Sequence, residues 1–158
     1  MKDRDFARRL IAPLMWLSAA AFTASWFLPV LSDVPGWMAF RYALAPLVPF
    51  RDAGNRAWED DVPQVLSALT NVMYIVLFGL WLAKQMFRAG LFVRIALALL
   101  LLNLYWFVQA WRDPQGLREL LFGYYVWIAA FALLLAVAVI TAFEARRTSR
   151  TPTVGTPA

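Results

Sequence analysis

Four long apolar runs, 10–31, 65–83, 91–110 and 120–143, carry most of this chain, and the only charge inside them is Arg94, near one end. A helix rises 1.5 Å per residue and bilayer hydrocarbon is about 30 Å thick, so about 20 apolar residues cross it. Each run meets that length. Lipid offers no partner to a bare N–H or C=O, so a single run of this kind is stable only as a helix. The sequence predicts an all-α membrane protein, a four-transmembrane-helix bundle. Its spans fall at about 10–31, 65–86, 91–111 and 120–143, within one domain covering 1–147.

Charge is confined to the gaps, and alternate gaps differ. The amino terminus, the second gap with its flanks and the tail hold ten Lys/Arg: Lys2, Arg4, Arg8, Arg9, Lys84, Arg88, Arg94, Arg146, Arg147 and Arg150. The first and third gaps hold five: Arg41, Arg51, Arg56, Arg112 and Arg118. Seven of the ten acids lie on this second side. Cytoplasmic loops are the Lys/Arg-rich ones, so both termini are expected in the cytoplasm of a bacterial inner (plasma) membrane, crossed in multiple passes. Met1 to Arg9 resembles a signal-peptide n-region. The apolar stretch behind it exceeds the usual 7 to 15 residues, and an uncleaved first span is expected.

The chain has no cysteine and no histidine. That removes disulfides, thiol redox chemistry, Cys-ligated metals, His-ligated haem and a histidine base. No nucleophile–base or carboxylate pair sits at membrane depth, so no enzyme, no cofactor and no metal site is expected. The pI near 10.1 comes from short basic clusters beside the spans, which fit anionic lipid rather than nucleic acid. The expected partners are the lipid bilayer and a membrane protein or a second copy of the chain.

Local signals place the finer elements. Pro13 and Pro29 mark the start and end of the first span, whose Ser18, Ala21 and Ser25 form a smooth face. Asp61 reads as an N-cap, with Pro63 in the first turn and Gln64 completing a capping box. The acids Glu59, Asp60 and Asp61 suit that helix start better than a cation site. Gly79/Ala83 and Ala132/Ala136 are small-xxx-small pairs, read first as packing seams within the chain and second as an oligomer face. A tight polar turn is expected at 112–116 and an irregular loop at 51–61. In the first extracytoplasmic loop, 35–45 reads as a short interfacial helix carrying Trp37, Phe40 and Leu44 on one side. The tail 148–158 is too polar to fold and is expected to be a disordered cytoplasmic segment.

Three amides lie within the spans: Asn71, Asn103 and Gln109. An unsatisfied amide in hydrocarbon is costly, so these are expected to make helix–helix polar contacts, with Asn71 paired to Asn103. Aromatic residues gather in the outer half. A belt at the membrane surface accounts for them. The sharper alternative is an outer aromatic groove formed by Trp26, Trp37, Trp106, Trp111, Tyr124 and Trp127. These features point to a non-enzymatic integral membrane protein that acts by protein contact, as an accessory or immunity-type subunit of a membrane assembly. The alternative is a small oligomeric transporter or channel, or a lipid-handling protein.

Overall fold

The computed structural model describes residues 2–31, 34–47, 58–84, 88–112, 118 and 120–149. Four long helices dominate: α1 (Lys2–Phe27), α3 (Trp58–Leu82), α4 (Ala89–Arg112) and α5 (Phe122–Ser149). A short helix, α2 (Gly36–Ala43), lies between the first two. Each long helix contains a stretch long and apolar enough to cross a membrane: Arg9–Phe27, Val62–Leu82, Ala89–Arg112 and Phe122–Arg147. This is the make-up of a multi-pass membrane protein.

Several boundaries differ from the sequence expectation, each for a local reason. Helix α1 ends at Phe27 rather than 31. Pro29 lacks an N–H and drives Leu28 out of helical geometry. The chain leaves instead as a small hairpin, β1 (Pro29–Leu31) pairing antiparallel with β2 (Val34–Pro35). Helix α3 starts at Trp58, so Asp61 sits inside it rather than capping it. Acids anywhere in a first turn offset the helix dipole, which makes the exact start hard to read. The same helix stops at Leu82 instead of 86, because Lys84 adopts a left-handed φ of 55°. There the Ala83 N–H bonds the Gly79 carbonyl at 2.9 Å and the Lys84 N–H bonds that of Trp81 at 3.0 Å.

Helix α4 matches its expected span to within two residues at each end. Helix α5 runs on to Ser149, beyond the expected 143 and into the start of the expected tail. Arg146 and Arg147 in its last turn favour the helix C-terminus. The rest of that tail (150–158), the turn at 113–116 and the loop at 51–57 lie outside the described residues.

Helix α5 is the hub, packed most extensively on α1 and then on α4. Its buried positions Ala130, Phe131, Leu134, Val137 and Ala138 follow helical spacing. Hydrophobic burial cannot drive helices together in lipid, so close packing and internal hydrogen bonds carry the association. Phe22 of α1 stacks on Tyr74 of α3 at 4.1 Å, and Phe131 of α5 stands edge-on to both, at 6.2 and 5.4 Å. Such aromatic pairs contribute about 0.5–1.5 kcal/mol each. Ser18, fully buried on the smooth face of α1, donates to the Ala130 carbonyl at 2.7 Å. Its single proton is thereby used, so in the 2.6 Å contact between Ser18 Oγ and Tyr74 the phenol is the donor. One polar knot ties three helices.

The small-residue pairs behave differently from expectation. A Cβ added to Gly79 would meet nothing within 4 Å, and Ala83 is exposed. Ala132 is exposed as well, because the buried stripe of α5 passes on its other side. The Gly79–Ala83 pair packs against nothing among the described residues, while Ala136 is half-buried.

Candidate ligand cavity

Because chain direction alternates, the C-terminal turns of α1 and α4 meet the N-terminal turns of α3 and α5 at one end of the molecule. A cavity of about 460 Å³ lies there. The long helices supply its walls: Trp26 from α1, Ala68 and Asn71 from α3, Trp106 from α4, and Tyr124 and Trp127 from α5. Volume and lining fall within the ordinary range for small-molecule sites, which are mainly apolar with a few placed polar groups.

The cover is α2 and the hairpin. Gly36, Ala39 and Ala43 line the cavity at i, i+3 and i+7. These side chains are too small to fill the space beneath them. Phe40 closes the gap on one side, its ring 5.2 Å from that of Trp26. The cover is stitched down by backbone. The Gly36 N–H donates to the Leu28 carbonyl at 3.1 Å, and the Leu121 N–H to that of Val30 at 3.1 Å. Two glycines are required for this approach. A Cβ on Gly36 would collide with the Ser25 carbonyl, and one on Gly123 with the Pro29 carbonyl.

The amides divide between two tasks. Asn103 is fully buried, and its Oδ1 accepts from Ser67 Oγ at 3.2 Å and stands 3.1 Å from Thr70 Oγ1, joining α4 to α3. Its Nδ2 donates to the Leu99 carbonyl at 2.9 Å, while the Tyr124 hydroxyl donates to its backbone carbonyl at 2.8 Å. Asn71 lines the cavity instead. Its Oδ1 accepts from the indole Nε1 of Trp127 at 2.9 Å, linking α3 to α5, and its Nδ2 makes a long 3.5 Å contact with the Ser67 carbonyl. The expected Asn71–Asn103 pair is absent: each amide meets hydroxyl or indole donors closer to hand. Gln109 lines the cavity too, but its Nε2 bonds Tyr105 of its own helix at 2.6 Å and reaches no second helix among the described residues.

Four of the six groove aromatics, Trp26, Trp106, Tyr124 and Trp127, come together in the cavity wall. Trp37 and Trp111 do not, being 43% and 66% exposed. Trp37 lies off the cavity side of α2, and Trp111 sits in the last turn of α4, beyond the wall. Sequence reading missed Gln64, Ala68, Ala39 and Ala43 as lining residues. The small side chains at 36, 39 and 43 were the available signal, overshadowed by the aromatics among them. No Asp, Glu, Lys or Arg lines the cavity among the described residues. They also include no group of His, Cys, Asp and Glu able to hold a metal. No family model, curated protein or solved structure matches the chain.

Proposed function

We propose that this chain is a non-enzymatic four-helix bundle of a bacterial inner membrane, with cytoplasmic termini, that binds an apolar lipid-like ligand in an extracytoplasmic cavity. The carrying observation is the cavity itself, about 460 Å³, walled by Trp, Tyr and Phe rings and free of charge among its described lining residues. Orientation follows from the ten-to-five Lys/Arg asymmetry. It sets the cavity end outside and makes α2 an interfacial helix that roofs it. A charged ligand would lose its hydration in such a site without gaining a counter-charge. An uncharged apolar one gains ring contacts at no such cost.

A second reading, an accessory or immunity-type subunit acting by protein contact, is favoured by the uncovered Gly79–Ala83 seam on α3. Small-xxx-small seams are where membrane helices approach one another. Purification in a mild detergent followed by native mass spectrometry separates the two. A small apolar molecule retained by the wild type, and lost from the Ala39→Leu/Ala43→Leu variant that fills the cavity, supports the ligand reading. A stoichiometric foreign protein retained by both, with no small molecule, supports the contact reading.

A further inference from the structure

We propose that the cavity selects an uncharged lipid bearing a carbonyl group, because Asn71 at its inner end has its oxygen held by Trp127 and keeps an amide N–H to donate. This inference rests on the ligand reading and names the chemistry of the occupant. Helix α3 descends the wall from Gln64 to Asn71, seven residues or about 10 Å. Asn71 is thus the deep polar group, and it is only 7% exposed. Its neighbour Trp127 fixes which way the amide faces. An indole nitrogen is a donor and never an acceptor, so the 2.9 Å contact commits the amide oxygen to Trp127. The Ser67 carbonyl, an acceptor only, fits the Nδ2 side of the same amide. That contact is 3.5 Å long and uses at most one of two N–H groups. What remains is an amide donor, nearly buried, on a residue that lines a mainly apolar cavity.

A carbonyl oxygen satisfies such a donor. A hydroxyl can also accept there, but one hydroxyl cannot accept from the Nδ2 and return its proton to the Oδ1 of the same amide, which Trp127 already holds. A carboxylate would accept well, yet it would bring a charge into a wall with no basic residue among its described members. The inserted end is therefore a carbonyl in an uncharged molecule. Ring ketones of the quinone class and acyl esters share that chemistry.

Binding is read as the rise in thermal midpoint of the purified protein in a maltoside detergent, which reports ligand affinity through linkage. The probes are a short-tailed naphthoquinone, monodecanoylglycerol, decanol and decanoate. The naphthoquinone, the ester or both should bind about tenfold more tightly than decanol, with decanoate weakest. The stronger of the two carbonyl probes identifies the source. Asn71→Leu should remove the preference, bringing the carbonyl probes down to the affinity of decanol. Trp127→Phe frees the amide to turn over and present its oxygen, so it should narrow the same preference even where Asn71→Leu fails to fold. Equal binding of carbonyl and hydroxyl probes overturns the inference and leaves the ligand reading intact. Failure of all four probes, with no change from Ala39→Leu/Ala43→Leu, overturns both.

Discussion

Asn103 and Asn71 carry the same side chain at similar depth and are predicted to respond differently to replacement. Asn103 Oδ1 accepts the Ser67 hydroxyl proton, stands 3.1 Å from Thr70 Oγ1 and is fully buried. Asn103→Leu strands the Ser67 hydroxyl, while Thr70 keeps its 2.6 Å bond to the Ser67 carbonyl. The expected loss is about 1–2 kcal/mol, in line with the modest worth of interhelical bonds in membranes. Denaturant titration in mixed micelles checks it; a loss near zero would remove Asn103 from the packing account. Asn71→Leu should cost less stability, since the cavity beside it accepts the new methyl groups. The glycines give a second contrast. Gly123→Ala drives a Cβ into the Pro29 carbonyl and should lower the unfolding midpoint clearly. Gly79→Ala meets open space and should leave stability unchanged or raise it by up to about 1 kcal/mol. A marked loss from Gly79→Ala in the isolated protein would contradict the described packing of α3.

At the scale of elements, the spans were legible because lipid permits so few alternatives: an apolar run of sufficient length must be helical. Their ends were less so. The hairpin at 29–35 was hidden because Pro29 signals a stop but not the pairing that follows. The left-handed stop at Lys84 was hidden because lysine gives no cue for positive φ. The cavity was half legible, since an excess of aromatics on one side announces a surface but not which rings converge. Convergence depends on helix rotation, which set Trp106 inward and Trp111 outward. Helix α2 gives a test at this scale, made simple by the absence of native thiols. Single cysteines at Trp37 and Arg41, both exposed, should react quickly with a membrane-impermeant reagent, and one at Ala39 slowly. Uniformly fast reaction at all three positions would mean that α2 does not roof the cavity.

For the whole molecule, the proposed orientation comes from charge asymmetry, and the place of the cavity comes from helix packing. They meet at Gln64, which lines the cavity near the start of α3. The variant Gln64→Cys, treated with a membrane-impermeant thiol reagent, tests both at once. In intact spheroplasts it should be labelled from outside, more slowly once a bound apolar probe occupies the cavity. In inverted inner-membrane vesicles it should stay unlabelled. Labelling from the cytoplasmic face, or labelling from outside at a rate that neither a probe nor the Ala39→Leu/Ala43→Leu filling alters, would contradict an extracytoplasmic ligand cavity.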